Sequence, residues 1–463
     1  MKTTFRFIIA AMAAIAVFSS CRKELVNESA NKTTDGVRTI SVLFDNSTKA
    51  TLDGFTPKFE ENDAIRVSNT EKSEERTISV DGSGNATFTT TLSGALTAIY
   101  PADAAVLASE ATDAPIATSD NFKVLATQDG TVEKAIIASA TVAEGENTAT
   151  FNGLTALFEI TPPSGATNIT ITSLNKIDAT TGRRSTTAGA VAINTTGEDA
   201  TAKCKITVSV SDGKAYVSLV PGVKLSDLSF EYTIDATHGA MKGIPTKDIT
   251  AAGKTDATVA NTKYTIGKTG WHLYVKIQMN SKIYKWATMN IGANNETELG
   301  QYFAWGDVVG QTWIPLTGGV AAHWSGSGFT TAPTLDPANP SVLPLSYDAA
   351  NANWGGSWHM PTQEEFDALC ALSNKSWQTD YNGSGVKGYE FKDADGNSIF
   401  LPVAGWGCDT DLNDAGDYGN YWSSSLYTGN PIRAYYLNFS AGGAGTEMDN
   451  FRSYGNSVRA LSE

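Results

Sequence analysis

The sequence predicts a mainly β N-terminal region followed by an α+β C-terminal domain. Between residues 38 and 250, short runs of alternating apolar and polar residues are separated by Gly, Asn, Asp and Pro, a pattern typical of β-sandwiches. All ten tryptophans lie from Trp271 onward, which indicates that the two parts have different cores. Because 463 residues exceed what a single core usually holds, we expect two or three domains.

The first 37 residues predict export and lipid anchoring. Lys2 and Arg6 precede an apolar stretch at 7–18 that is too short to span a bilayer. This stretch ends in Phe-Ser-Ser-Cys, which resembles the lipobox of bacterial lipoproteins. The resemblance implies a signal peptide at 1–20, acylation of Cys21 and a polar tether over 21–37 on the outer membrane. An ordinary secretory signal with a chance cysteine is the alternative.

Charge and cysteine content exclude several functional classes. Without residues 1–20, 32 Lys plus Arg face 49 Asp plus Glu, a net charge of −17. Such a surface repels phosphate groups, which argues against nucleic acid as a partner. The later cysteines, Cys204, Cys370 and Cys408, contain no Cys-x-x-Cys pair and suit neither a disulfide framework nor a zinc site. Cys204 is expected in a buried strand, and pairing of Cys370 with Cys408 stays open.

Individual strands and turns can be predicted within the N-terminal region. Gly- and Asn-containing segments at 81–85 and 211–214 predict hairpin turns, because these residues accept a positive φ. Pro162 and Pro163 interrupt the pattern and predict two β-sandwich-like subdomains, at about 38–162 and 163–250. The alternating runs predict strands at 38–44, 64–67, 76–80, 86–90 and 204–210.

Motifs at 47–51, 59–67, 86–88 and 98–101, together with the lipobox, carry a family resemblance over about residues 38–250. This region resembles the fimbrillin-like lipoproteins of Bacteroidales, the subunits of type V pili. The resemblance implies partnership with other pilin subunits by strand donation, in which a C-terminal strand completes a neighbour's sheet. It also implies cleavage after an arginine. Arg38 at the end of the tether is the candidate processing site, and Arg22 is a weaker one.

The composition changes again after the β region. Residues 251–268 are mostly small or polar and predict a linker. Five blocks rich in Trp, Tyr and Gly then follow in order, at 286–293, 300–306, 354–362, 421–425 and 457–460. Residues 269–463 thereby resemble the Fibrobacter succinogenes major paralogous domain, a module of bacterial surface proteins.

One helix of this domain follows from its capping residues. Thr362 and Glu365 form a capping box, and Phe366 and Leu369 then lie on one helical face, which predicts a helix within 360–372. With the late Trp-Ser-Ser strand, this layout resembles the C-type lectin-like fold. The Pro-Thr-x-x-Glu start of the helix is also similar to formylglycine-generating enzymes.

The loop at 406–421 is the candidate ligand-binding surface, because it combines aromatic rings and carboxylates. Loops held on a rigid scaffold can vary in sequence without disturbing the fold, and they often carry binding residues. An external glycan or a protein is the expected ligand. Calcium is an open alternative, although the loop lacks the Gly and Glu that an EF-hand requires, and no metal ligands are assigned. The ligand-binding candidates are Trp406, Asp409, Asp411, Asn413, Asp414, Asp417, Tyr418 and Tyr421.

The sequence assigns no catalytic residues and no cofactor. The four histidines are dispersed and are expected to be structural. Residues 423–425 lack the Gly-x-Ser-x-Gly signature of a nucleophilic serine. Cys370 and Cys408 do not match the late copper-binding cysteines that the formylglycine-generating resemblance would require.

These features predict a non-enzymatic, lipid-anchored surface protein. A further domain follows the fimbrillin-like region, so the chain is expected to receive a donated strand but not to give one. This favours a pilus tip or accessory subunit that acts as an adhesin. The alternative is a stand-alone surface lipoprotein that binds glycan or protein without polymerising, and an enzyme is a third, disfavoured reading.

Overall fold

The computed structural model describes the chain from residue 36 to 463 with several gaps. Cys21, Arg22, Cys204, the signal peptide, most of the tether and the motif at 47–51 lie outside the described residues. No helix in the described part is long and apolar enough to cross a bilayer. The described ranges are 36–45, 58–105, 107–109, 111–117, 122, 127–128, 130, 135–174, 205–219, 221–260, 262–317, 321–336, 338–446 and 449–463.

The first sandwich is formed by an eight-stranded sheet of order β3-β2-β6-β8-β9-β1-β5-β4, in which β1 is an interior strand. The strands of this part of the chain are β1 (Arg38–Phe44), β2 (Ala64–Ser68), β3 (Ser73–Thr77), β4 (Ser79–Val80), β5 (Ala86–Thr90), β6 (Leu96–Tyr100), β7 (Thr127–Gln128), β8 (Ala138–Val142) and β9 (Thr148–Gly153). β1 pairs antiparallel with β5 and parallel with β9. Its alternating residues Ile40, Val42 and Phe44 are buried, as the sequence pattern predicts.

The second sandwich packs a three-stranded sheet, β13-β10-β16, against part of a longer sheet. Phe158 on β10 stacks on Tyr264 at 4.9 Å and lies 5.9 Å from Phe230 of the opposite sheet. The elements are β10 (Ala156–Ile160), β11 (Asn168–Ser173), β12 (Lys205–Ser209), β13 (Ala215–Leu219), β14 (Leu228–Thr233), β15 (His238–Gly243), the helix α1 (Thr246–Ala251) and β16 (Lys263–Ile266).

One predicted boundary and one predicted hairpin of this sandwich are corrected by strand pairing. β10 pairs with β13 and β16, so the first sandwich ends near Gly153 and not near residue 162. The turn at 211–214 is closed by two backbone hydrogen bonds, but it joins β12 to β13, which belong to different sheets. It is therefore a corner between sheets and not a simple hairpin. Propensity alone does not specify which sheet a strand joins.

The predicted linker at 251–268 is wrong at its C-terminal end. β16 pairs in parallel with β10, and Lys263 forms an ion pair with Glu159 at 2.8 Å. Tyr264 and Ile266 are buried in the second core. Small residues dominate the preceding segment and conceal this four-residue strand, which is too short to show a clear alternation.

The C-terminal part contains short strands and two helices around a larger sheet of order β19-β31-β27-β28-β29. Its elements are β17 (His272–Met279), β18 (Lys282–Ala287), β19 (Tyr302–Phe303), β20 (Trp313–Ile314), β21 (His323–Trp324), α2 (Ala349–Trp354), α3 (Gln363–Cys370), β22 (Asn374–Gln378), β23 (Gly388–Lys392), β24 (Ser398–Pro402), β25 (Trp406–Cys408), β26 (Asp411–Asn413), β27 (Gly419–Leu426), β28 (Arg433–Ser440), β29 (Gly443–Gly445), β30 (Asp449–Phe451), β31 (Asn456–Ser457) and β32 (Leu461–Ser462).

One sheet continues from the second sandwich into the C-terminal part. Its order is β32-β18-β17-β15-β14-β11-β12-β7, with His238 of β15 opposite Val275 of β17. At this junction, the Tyr274 hydroxyl donates to Glu231 at 2.6 Å, and Lys285 pairs with the same carboxylate at 2.8 Å. The two parts therefore share backbone hydrogen bonds and do not form independent layers.

Close backbone contacts reinforce this junction. A Cβ atom on Gly243 of β15 would lie 2.1 Å from the carbonyl carbon of Gly355, and one on Gly356 would lie 2.4 Å from the Ser229 hydroxyl oxygen. The Ser357 amide donates to that hydroxyl at 2.8 Å. We define these five residues, Ser229, Gly243, Gly355, Gly356 and Ser357, as the glycine junction. Side chains larger than hydrogen do not fit at its three glycine positions.

The predicted capping box is confirmed at α3. The Glu365 amide donates to the Thr362 hydroxyl at 3.2 Å, and the Thr362 amide donates to the Glu365 carboxylate at 2.8 Å. His359 Nε2 lies 3.5 Å from the same carboxylate. Burial opposes the charge of His359, but Glu365 and the buried Asp348 outweigh it and raise the pKa of the imidazole.

We expect Gly243→Val to destabilise the junction by about 2 to 3 kcal/mol, because the new side chain must displace backbone atoms. Urea unfolding followed by tryptophan fluorescence measures this change. Gly267→Ala is the matched control, since its Cβ meets nothing within 4 Å and should leave the midpoint nearly unchanged. Equal midpoints for the two variants would show that the contact does not constrain the structure.

We expect His359→Gln to lower the free energy of unfolding in a pH-dependent way. Because folding raises the pKa of His359 above its ordinary 6.5, its stabilising charge is fully present below pH 6.5 and is lost as the pH rises through the folded value. The destabilisation should therefore be larger at about pH 5.5 than at about pH 9, where less of the folded histidine carries the stabilising charge. A pH-independent difference in urea unfolding contradicts the assigned ion pair.

Candidate functional site

The candidate loop is an ordered β-hairpin. Trp406 on β25 lies opposite Asn413 on β26, and the two strands are joined by a two-residue turn. Asp409 occupies this turn with φ of 51°, a left-handed conformation that Asp tolerates. The Phe329 amide donates to the Asp409 carbonyl at 2.8 Å, and the Asp409 amide donates to the Phe329 carbonyl at 3.0 Å. The tip is thereby attached to a neighbouring segment.

The base of the hairpin is held by two glycines that pack on one aromatic ring. A Cβ on Gly407 would lie 2.5 Å from the Phe329 ring, and one on Gly455 would lie 2.4 Å from it. The backbones of Gly407 and Gly455 also exchange hydrogen bonds at 2.7 and 2.9 Å. Phe329 in turn contacts the buried Trp324 at 4.9 Å. The hairpin therefore extends from a rigid aromatic base.

Trp406 is oriented by a hydrogen bond and a ring contact. Its indole nitrogen donates to the Asp414 carboxylate at 2.9 Å, and its ring lies 4.7 Å from that of Tyr454. Asp414 adopts a φ of 54°, and its carbonyl accepts from the amides of Asp417 and Tyr418. The turn after β26 therefore holds the carboxylate that orients the indole.

Residues that the sequence analysis missed extend this surface. Tyr454 contacts Phe451 at 5.4 Å, and the Arg433 guanidinium lies 4.3 Å from the Phe451 ring centre. Arg433 also pairs with Asp449 at 2.8 Å. We call Trp406, Tyr454 and Phe451 the aromatic row; all three are half-buried. The pairing of β28 with β30 and of Gly407 with Gly455 creates the row, and no local sequence pattern indicates it.

Six of the other predicted residues lie on or beside this hairpin. Asp417 is paired with Lys387 at 3.1 Å, and Tyr418 is 44% exposed. Asn413 is half-buried within β26. The exposed carboxylates are those of Asp409, Asp411, Asp414 and Asp417. The structure therefore groups Trp406, Tyr418 and these acidic residues on one projecting segment.

Tyr421 is the exception and is withdrawn as a ligand-binding candidate. Its side chain is completely buried, because it lies in β27, whose residues are all buried. The hydroxyl donates to the Pro402 carbonyl at 2.8 Å and accepts from the Asn290 amide at 3.1 Å. Burial, partly offset by Arg459, raises the pKa of Tyr421 to about 12. Tyr421 belongs to the scaffold.

The calcium alternative receives no support from the geometry. Among the described residues, no three His, Cys, Asp or Glu side chains gather as ligands for one metal. Asp414 accepts from Trp406, and Asp417 pairs with Lys387. The carboxylates of the loop therefore serve separate partners.

The two described cysteines are free thiols. Burial raises the pKa of Cys370 on α3 to about 12, and burial together with the charge of Asp409 raises the pKa of Cys408. Both are therefore protonated at neutral pH and are weak nucleophiles. In this structure, Cys370 and Cys408 do not form the disulfide that the sequence left open.

Arg38 is the first residue of β1 and is anchored by its side chain. Its guanidinium donates to the carbonyls of Gly94 at 2.7 Å and Glu146 at 2.8 Å. Its neighbour Thr39 pairs with Thr89 of β5. The peptide bond after Arg38 thus lies inside a paired strand, and a protease would need this end of β1 to open.

The tryptophan blocks of the sequence contribute to the buried cores of the C-terminal part. Trp286, Trp358 and Trp422 are completely buried, and the Trp422 indole donates to the Phe303 carbonyl at 2.7 Å. Ser424 is buried in β27, where its amide donates to the Pro361 carbonyl at 2.7 Å. These contacts confirm that Trp422 and the following serines are structural.

Comparisons with known proteins give distant structural matches. No family model matches the chain, and no curated protein matches it. A candidate cell adhesion protein from Bacteroides uniformis is 16% identical, with a TM-score of 0.30 over 52% of this chain and 97% of its own. A fimbrial protein from Bacteroides ovatus is 10% identical, with a TM-score of 0.26 over 92% and 98%.

The tip fimbrial protein Mfa3 from Porphyromonas gingivalis, in a C-terminally truncated form, is a third match. It is 10% identical, with a TM-score of 0.23 over 53% of this chain and 97% of that protein. At TM-scores below 0.5, none of these matches establishes a shared fold. Function must therefore be argued from the residues and their geometry.

Proposed function

We propose that this protein is a non-enzymatic, lipid-anchored surface adhesin of the fimbrillin-like type, serving as a pilus tip or accessory subunit. Its lectin-like C-terminal part binds an external glycan or protein. The observation that carries this proposal is the rigid 406–418 hairpin, which presents the aromatic row beside exposed carboxylates. The motifs and lipobox of the sequence support the fimbrillin-like assignment.

The surface chemistry of the hairpin suits recognition. Aromatic rings contribute large contact areas with little conformational freedom to lose, and they stack on sugar rings or fill pockets of a protein partner. Asp409 and Asp411 are exposed at the turn and offer hydrogen-bond acceptors. The Trp406 ring is already held by Asp414, so binding does not have to order it.

Strand positions support a receiving and not a donating role in a pilus. β32 is buried and pairs with β18, so these residues are not a free donor strand. β1 lies between β9 and β5, and its displacement from the sheet, while it stays part of the chain, would open a groove within the first sheet. A strand from another pilin subunit could then fill that groove by β-augmentation.

Cys21 and Arg38 are the proposed anchoring and processing residues. Acylation of Cys21 attaches the chain to the outer membrane through its lipid. Cleavage after Arg38 would release the lipid and loosen β1, whose first pair is Arg38 with Thr90. A stand-alone lipoprotein, the second candidate, keeps Cys21 as its first residue. The second candidate is supported by the position of Arg38, whose backbone is paired and whose side chain is anchored. This position protects the cleavage site in the folded chain.

Binding should depend on the hairpin and not on the surrounding tryptophans in general. We expect Trp406→Ala and Tyr418→Ala to reduce binding of the full chain on a glycan and protein array. Tyr418→Ala should change stability by only about 0.5 kcal/mol, whereas Trp358→Ala should cost about 3 to 5 kcal/mol. Trp377→Ala, a half-buried tryptophan on β22, is the matched control for binding. A ligand that binds both hairpin variants at full affinity places the site elsewhere.

Processing distinguishes the pilus subunit from the stand-alone lipoprotein. We expect Cys21→Ala to move the protein from the membrane to the soluble fraction, because it removes the acylated residue. N-terminal sequencing of the wild-type surface form should then begin at Thr39 in assembled fibres. A fibre-bound protein that still begins at Cys21 removes the processing step, and an unchanged membrane fraction for the variant contradicts lipidation.

A further inference from the structure

A cavity lies at the junction of the second sandwich with the C-terminal part, apart from the hairpin. Its volume is about 710 Å³, within the range of about 300 to 1,000 Å³ of ligand sites. One wall comes from the turn at 224–227 and from α1, and the other comes from α2 and residues 308–310. The glycine junction locks these elements together, so the cavity is formed before any ligand arrives.

Part of the cavity is aliphatic. Val308, Val309, Leu345 and Leu174 line it, with Val309 70% exposed and Leu345 45% exposed. Exposed apolar side chains beside a concave surface mark a place where a ligand can remove them from water. Among the described residues, none that lines the cavity is aromatic, so this lining offers no stacking surface of the kind that sugar rings use. The apolar part of the ligand should therefore be an aliphatic side chain.

The polar part of the cavity contains one lysine that has no acidic partner. Lys247 Nζ donates to the Asn353 side-chain carbonyl at 2.7 Å, and among the described residues no carboxylate lies within ion-pair distance of it. Lys224, by contrast, lies 3.5 Å from Asp227 and 3.9 Å from Asp256. Lys247 is therefore the cation in this cavity that is free to accept a carboxylate from a ligand.

A neutral amide completes the polar surface. The side chain of Gln301 lines the cavity and passes close to Gly292 and Gly310, where a Cβ atom would lie 2.5 and 2.8 Å from it. Within the described part of the chain, this amide forms no hydrogen bond. An amide that both donates and accepts matches a peptide bond, whereas a fatty acid has no amide to pair with it.

From these features we infer a second binding site that takes a short peptide end, with an aliphatic side chain on Val309 and Leu345 and a terminal carboxylate on Lys247. Gln301 would pair with the last peptide bond. This site is independent of the hairpin, so it does not depend on the proposed adhesin function. Two separate recognition sites on one chain would allow the protein to hold two partners at once.

The test uses the full chain and N-acetyl-Ala-Leu with a free carboxylate, measured by isothermal titration calorimetry. The C-terminal amide of the same peptide and octanoate are the comparison probes. We expect saturable binding of the carboxylate peptide and about tenfold weaker binding of the amide, since the charged hydrogen bond is lost. Equal binding of peptide and amide, or no binding of the peptide at about 10 mM, overturns the site. Tighter binding of octanoate overturns the assignment to a peptide.

Variants locate the binding in this cavity. Lys247→Ala and Val309→Asp should each weaken the peptide about tenfold. Their controls are Lys268→Ala, an exposed lysine outside the cavity, and Leu316→Asp, a residue 67% exposed outside the cavity. Val309 is on the surface, so its substitution should leave the unfolding midpoint unchanged. Peptide binding that falls equally in the variants and their controls contradicts this location.

Discussion

The structure depends on a close backbone contact between β15 and the turn after α2. Gly243, Gly355 and Gly356 bring two chain segments closer than any side chain would permit. Ser229 and Ser357 add hydrogen bonds across the same contact. Because β17 also extends the sheet from β15, the C-terminal part is joined to the second sandwich by both sheet pairing and packing. The C-terminal part could therefore not shift against the second sandwich without breaking both the sheet pairing and this packing contact.

This junction fixes the surroundings of the proposed cavity site. His272 stacks on Trp354 at 3.7 Å, and burial lowers the pKa of this histidine to about 3, so the stacked ring is neutral. α2 is thereby held against the sheet, and the cavity between α1 and α2 keeps its walls apart. The hairpin is attached separately, through the backbone hydrogen bonds between Asp409 and Phe329.

The hairpin and the cavity differ in chemistry because their elements have different neighbours. The hairpin projects from an aromatic base at Phe329 and carries aspartates, which favour turns. The cavity forms where two layers meet incompletely, and it is lined by aliphatic and charged side chains. A surface with aromatic rings and a concave site with aliphatic walls are suited to different ligands.

Local sequence determined much of the secondary structure of this protein. The strands at 38–44 and 86–90, the turn at 81–85 and the capping box of Thr362 follow from alternation, positive φ and capping, which act over a few residues. The burial of most tryptophans could likewise be expected from the large apolar surface of their side chains. Within the predicted binding loop, seven of eight candidates remain beside the hairpin, and Tyr421 does not.

Only the tertiary structure decided which segments meet. The end of the predicted linker is a strand because β10 offers it a partner and Phe158 offers Tyr264 a ring to stack on. The aromatic row needs Phe451 and Tyr454 to come beside Trp406 from more than 40 residues away. Tyr421 is buried because β27 is covered on both faces. Sheet pairing and close packing between distant segments set these outcomes, and short-range patterns in a sequence carry no record of such contacts.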